Sequence, residues 1–249
     1  MSDSASSAAR AKDKIILPLD VPDAARAVEL VRRVAGAVSF FKVGLELFTR
    51  GGPGVLDQIR EAAGSGGCRL FLDLKLHDIP NTVAGAVRSA AALGVDLLTL
   101  HLGGGGAMVR AAVAAAPAGL DLLGVSVLTS SDAATLREIG VVDEVEAQVL
   151  RLAALGVENG LTGVVASPLE TAALRQRFGG GLRIVTPGVR PADRTGPPDD
   201  QRRVMTPGDA IRAGADYLVV GRPISGQPDP RAAAERIAEE MAAALPPAA

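Results

Sequence analysis

The chain has 249 residues, a formal net charge of −2, 48% hydrophobic residues, one cysteine, two histidines, one tyrosine and no tryptophan. A single cysteine excludes an intrachain disulfide, and two histidines exclude a multi-histidine metal site. The balanced charge and scarce aromatics remove general attraction to nucleic acid and the stacking platforms that hold single strands, and no apolar run approaches the ~20 residues of a membrane span.

These limits lead to the expectation of a soluble globular protein with neither membrane nor nucleic acid as partner. Residues 1–13 are polar and Ala/Ser-rich with no apolar signal core. They are expected to form a disordered tail outside the fold, and the lack of a signal leads to a cytoplasmic expectation. From residue 14 onward, short apolar runs alternate with longer stretches of helical period. The runs are KIILPLD (14–20), SFFKVG (39–44), RLFLDLK (69–75), VDLLTLH (95–101), DLLGVSVL (121–128), TGVVAS (162–167), LRIVTPG (182–188) and DYLVVG (216–221). Between them lie patterns such as DAARAVELVRRVAG, NTVAGAVRSAAALG and EVEAQVLRLAALGV. Strands apolar nearly throughout imply burial on both faces, as in parallel sheets. Strict β–α alternation implies parallel βα units. Eight such units in this length predict one (β/α)8 TIM barrel over residues 14–249, since such barrels take ~250 residues.

Three further features are read along the way. Cys68, in a flank that reads as a loop entering a strand, is expected to be structural. The Gly103–Gly106 run is expected to be a flexible turn. The long irregular stretch after the seventh strand, at about 188–206, contains GVRPADRTGPPDDQRR. A loop of that length in a compact domain suits a functional lid, and its position is where barrels often bind phosphate.

Charged residues fall at the ends of the early strands: Asp20, Lys42, Asp73 and Lys75, with Asp78 in the following loop. In a barrel such residues converge on one mouth. Residues two apart share a strand face, so Asp73 and Lys75 point the same way. Alternating acids and lysines satisfy each other, keeping the lysines protonated and the aspartates ionised. A fixed ammonium can protonate a carbanion, and a fixed carboxylate disfavours a neighbouring substrate carboxylate. After the eighth strand, Gly221 lets backbone approach an anion and Arg222 can fork onto phosphate oxygens.

The string DLKLHDIPNT (73–82) carries a resemblance. With LDVPD (19–23), FKVG (41–44), LTS (128–130), PGVRP (187–191), DQRRV (200–204) and VVGRPI (219–224), the chain resembles orotidine 5'-phosphate decarboxylase of the bacterial type over about residues 14–245. The resemblance implies a carboxy-lyase that uses no cofactor and no metal. It would convert orotidine 5'-phosphate to UMP and CO2 in de novo pyrimidine synthesis, as a homodimer with shared active sites. It implies that Lys75 donates a proton to C6 of the pyrimidine and that Asp73 lies near the departing carboxylate. Lys42 would pair with Asp73 near the ribose hydroxyls, and Asp20 would bind the ribose. Asp78 and Thr82 would reach the partner's site. Thr129, with Ser130 beside it, would face the pyrimidine amide edge. Gln201 and Arg222 would hold the phosphate with the Gly221 N–H, and Arg190 would lie on the ligand side. His77 is expected to support its loop. The alternatives are a metal-dependent phosphosugar decarboxylase or aldolase of the same barrel superfamily, and a non-catalytic barrel that senses a nucleotide.

Overall fold

Eight strands form the centre of the molecule: β1 (Ile15–Pro18), β2 (Phe40–Gly44), β3 (Arg69–Leu76), β4 (Leu97–His101), β5 (Asp121–Val125), β6 (Gly163–Val165), β7 (Arg183–Thr186) and β8 (Tyr217–Val219). Each pairs parallel with the next, and β8 closes on β1. The computed structural model describes residues 2–191 and 205–246, with side chains from residue 7. Around the barrel run α1 (Ser2–Lys12), α2 (Ala24–Arg33), α3 (Leu45–Gly51), α4 (Gly54–Ala63), α5 (Pro80–Ala92), α6 (Gly105–Ala115), α7 (Ala133–Glu138), α8 (Val145–Glu158), α9 (Pro168–Phe178), α10 (Pro207–Arg212), α11 (Arg222–Ser225) and α12 (Pro230–Ala244). The alternation read from the sequence is the (β/α)8 barrel observed. Among the described residues no helix is long and apolar enough to cross a membrane.

The period of two along each strand divides the core. Ile16, Phe40, Phe71, Leu97, Leu123, Val185 and Val219 point inward and fill the barrel. Their neighbours Ile15, Leu17, Phe41, Leu70, Leu72 and Leu98 point outward and join the larger core against the helices. Both faces are therefore apolar, which is why these strands read as nearly unbroken hydrophobic runs. The N-terminal end of the barrel is plugged. The Arg69 guanidinium lies 4.1 Å from the Phe40 ring centroid and donates to the Tyr217 hydroxyl at 3.2 Å. The single tyrosine thus serves packing at the end away from the charged strand termini. Cys68 lies just before β3 at this same end, and burial pushes its thiol pKa up, against the opposing pull of Arg60. That is the environment of an inert structural cysteine.

One expectation is corrected. Most of the stretch expected as a disordered tail, residues 1–13, is helix α1, which packs against α12. Ala11 is fully buried, and Arg10 donates to the Pro246 carbonyl at 3.4 Å. Alanine is the strongest helix former, so a composition that reads as sequence bias becomes a helix once a partner surface covers one side.

Candidate active site

The inward period that fills the barrel continues beyond the apolar layer. Two residues past Ile16, Phe40, Phe71 and Leu97 come Pro18, Lys42, Asp73 and Thr99, and polar groups replace hydrocarbon. Pro18, Lys42 and Asp73 face a cavity of about 480 Å³ at the C-terminal ends of the strands, floored by Phe71, Val125, Val165 and Val219, while Thr99 stays buried behind Asp73. Four charges form one chain along its wall. The Lys42 ammonium lies 3.1 Å from Asp20 and 3.3 Å from Asp73, and the Lys75 ammonium lies 2.9 Å from Asp73. Lys42 and Asp73 are buried, whereas the Asp20 side chain is 64% exposed. Burial alone would raise the Asp73 pKa. The charges of Lys42 and Lys75, with hydrogen bonds from Lys75 and Thr99, outweigh it and hold the carboxyl below its ordinary value. Asp73 therefore stays ionised beside two cations.

Asp73 and Lys75 meet by a route the alternation alone does not give. The ladder between β3 and β4 runs Phe71↔Leu97 and Leu72↔Leu98, then jumps to Leu76↔Leu100. Asp73, Leu74 and Lys75 thus stand opposite Thr99 alone. Lys75 takes φ 50°, the one positive φ outside glycine among the described residues. Its backbone N–H donates to the Thr99 hydroxyl at 2.9 Å, and that hydroxyl donates to Asp73 at 3.0 Å. A non-glycine residue in this region is strained by about 1–3 kcal/mol, and such strain is held only by surrounding structure.

The other candidate residues divide into two groups. Thr129, Arg190, Gly221 and Arg222 line the same cavity as the charge chain. Gly221 caps α11, and a Cβ there would stand 3.1 Å from Pro18, tight enough that the proline ring would have to give. The chain on either side of the long loop is drawn together by a parallel bridge between Val189 and Met205, with the Arg190 N–H donating to the Met205 carbonyl at 2.9 Å. Gln201 and the loop from 192 to 204 lie outside the described residues. Asp78, Thr82 and Ser130 are exposed and do not line the cavity of their own chain. The Asp78 carboxylate accepts the Ile79 N–H at 2.6 Å, and no ion pair reaches it among the described residues.

The model of the orotidine 5'-phosphate decarboxylase / HUMPS family matches residues 13–237. The chain belongs to this family. It is 53% identical over 243 residues to orotidine 5'-phosphate decarboxylase of Moorella thermoacetica, covering 93% of each chain. It is likewise 53% identical over 243 residues to that of Syntrophotalea carbinolica, covering 94% of this chain and 97% of the relative. Among solved structures, orotidine 5'-phosphate decarboxylase from Lactobacillus acidophilus superposes with a TM-score of 0.79 at 35% identity, over 92% of this chain and 99% of that one.

Two features of this orotidine 5'-phosphate decarboxylase family member were not read from its sequence. Thr99 is one, a fully buried hydroxyl against both Asp73 and Lys75. The available signal was a lone polar residue at an inward position of the apolar run LLTLH. The other is a stacked imidazole pair: His77 and His101 have ring centroids 5.4 Å apart at 14°. His101 Nδ1 accepts the Gly103 N–H at 3.2 Å, so when neutral the ring carries its proton on Nε2. Burial lowers the His101 pKa, and the charges of His77 and Lys75 lower it further. The folded protein thus resists protonating His101 more than the unfolded chain does. This contribution to stability is present above the unfolded value of about 6.5 and is lost as pH falls through the lower folded value. Below about pH 6.5 the melting temperature of the wild type should therefore fall more steeply than that of His101→Gln. Parallel melting curves for the two proteins would remove His101 as the cause.

Proposed function

We propose that this chain decarboxylates orotidine 5'-phosphate to UMP and CO2 in cytoplasmic de novo pyrimidine synthesis, as a homodimer, with no metal and no cofactor. The observation that carries the reading is the Asp20–Lys42–Asp73–Lys75 chain on the cavity wall, set in DLKLHDIPNT. Loss of CO2 from C6 of a pyrimidine leaves an electron pair in the ring plane, with no conjugated sink to accept it. A fixed ammonium is the complement of that charge, and a preorganised one needs no reorganisation during reaction. Lys75 fills this role and delivers its proton to C6 as the C6–carboxylate bond breaks. Asp73, held ionised, faces the substrate carboxylate, an arrangement that relaxes when neutral CO2 departs. Lys42 pairs with both aspartates and holds them in place. Asp20 accepts from the ribose, Thr129 meets the amide edge of the base with Ser130 beside it off the cavity wall, and Arg190 lies on the ligand side. Arg222, the Gly221 N–H and Gln201 take the phosphate, over which the 188–206 loop would close.

The metal-dependent alternative conflicts with the charge chain. The Lys42 ammonium stands between the Asp20 and Asp73 carboxylates, so the acids that could offer oxygens to a divalent ion are already paired with a cation. The deciding assay follows loss of the orotate-type absorbance with purified protein in excess chelator. Undiminished turnover supports the reading; activity that needs added metal overturns it.

The phosphate assignment has its own test. Arg222→Ala should lower kcat/KM on the nucleotide by about 10- to 100-fold, the value of one or two charge-assisted hydrogen bonds. Gln201→Ala should act in the same direction. On the phosphate-free nucleoside both losses should largely vanish. Arg222→Lys should also be impaired, because an ammonium cannot reproduce the planar fork. Equal losses on nucleotide and nucleoside would assign these residues elsewhere.

A further inference from the structure

Asp73 and Lys75 are held by a group that touches neither the cavity nor, in the reading above, the substrate. Thr99 is fully buried and does not line the cavity. Its hydroxyl lies 2.9 Å from the Lys75 backbone nitrogen and 3.0 Å from Asp73 Oδ1. The direction of each bond is fixed. A backbone N–H can only donate and an ionised carboxylate can only accept, so the hydroxyl accepts from Lys75 and donates to Asp73. Three residues of β3 stand opposite Thr99, where the ladder would otherwise pair one with one. The bulge frees the Lys75 N–H from the regular ladder, and the Thr99 hydroxyl supplies the partner. At that same residue the backbone takes φ 50°.

We infer that Thr99 is a positioning residue for the decarboxylation: its single hydroxyl pins the β3 bulge and thereby fixes the Lys75 ammonium against the Asp73 carboxylate. The inference rests on the function proposed above. In a regular strand, Lys75 would continue the pleat with its side chain set by the strand direction. The bulge instead turns the backbone at Lys75, and its ammonium returns to Asp73 at 2.9 Å. Bulges beside active sites commonly re-aim a side chain in this way. Without the hydroxyl, the Lys75 N–H loses its partner and Asp73 loses a neutral donor that holds its oxygen in place. The strained turn at Lys75 then has less to hold it.

Thr99→Val keeps the shape and removes the hydroxyl, and Thr99→Ser keeps the hydroxyl and removes the methyl. Thr99→Val should lower kcat on orotidine 5'-phosphate by about 10- to 100-fold while KM moves less than about threefold, because the bound substrate does not meet Thr99. Thr99→Ser should recover most of the lost turnover. A crystal structure of Thr99→Val should show Lys75 relaxed from positive φ or its ammonium moved off Asp73. A purely structural role would lower the melting temperature without this split of kcat from KM and without rescue by serine. If Thr99→Val does not fold, Thr99→Ala carries the same comparison against Thr99→Ser. The inference is overturned if a folded hydroxyl-free variant keeps kcat within about threefold of wild type, or if serine is as impaired as valine. Should the wild type itself form no UMP, the proposed function fails, and the crystal structures alone then decide whether Thr99 holds the bulge.

Discussion

Lys75→Ala is expected to lower kcat on orotidine 5'-phosphate by on the order of 10⁴-fold or more, since one substitution removes both the proton donor and the charge facing the carbanion. The fold should survive. The Lys75 side chain is 32% exposed, and Asp73 keeps Lys42 at 3.3 Å and Thr99 at 3.0 Å after its loss. The positive φ at this position separates chemistry from stability further. Alanine retains the strain of the left-handed region, about 1–2 kcal/mol for an L-residue, whereas glycine does not. Lys75→Gly should therefore be as inactive as Lys75→Ala, yet more stable by up to about 1 kcal/mol once the greater chain entropy of glycine is deducted. Denaturant unfolding of the two variants measures the difference. Near-normal turnover by folded Lys75→Ala would sink the assignment of Lys75. A glycine variant less stable than the alanine variant by about 0.5–1 kcal/mol, the entropy cost alone, would mean that the backbone at Lys75 stores no strain.

The sequence made the barrel legible because burial on both faces leaves strands as apolar runs, and those runs survive translation into β1 to β8 with their ends trimmed, except β3, which runs one residue further. The charge chain was legible for the converse reason. Asp20, Lys42, Asp73 and Lys75 interrupt or end apolar strands, where a packed core has no use for them. The contact between Asp73 and Lys75 was anticipated from strict alternation, but the structure makes it through a bulge. That bulge depends on Thr99, which lies on a different strand, 24 residues beyond Lys75. A periodicity argument confined to one strand cannot see it. Helix α1 was missed for a related reason, since its stability comes from α12 at the other end of the chain. The His77–His101 pair likewise joins the ends of β3 and β4, which the pairing of those two strands brings together.

Subunit mixing is expected to restore activity between two inactive variants, Lys75→Ala and Asp78→Ala. Asp78 lies beyond the end of β3, exposed, and its carboxylate accepts the N–H of Ile79. Ile79 is extended at φ −59° and ψ 152°, as the following Pro80 favours, and α5 starts immediately. From this turn α5 begins, and Asp78 stays off the wall of its own cavity. Beside it the Ile79 side chain is 67% exposed, an apolar surface that a second copy would cover. Across a two-fold axis, each chain would lend Asp78 and Thr82 to its partner's cavity. In a heterodimer of the two variants, the site with Lys75→Ala also receives Asp78→Ala, and the other site receives neither lesion. Random exchange at equal concentrations gives heterodimers in about half of the dimers, each with one competent site, so recovery should approach about a quarter of wild-type activity. Native mass spectrometry verifies that heterodimers have formed. Verified heterodimers that stay as inactive as their parents would mean that Asp78 serves its own barrel, and the shared site would be discarded.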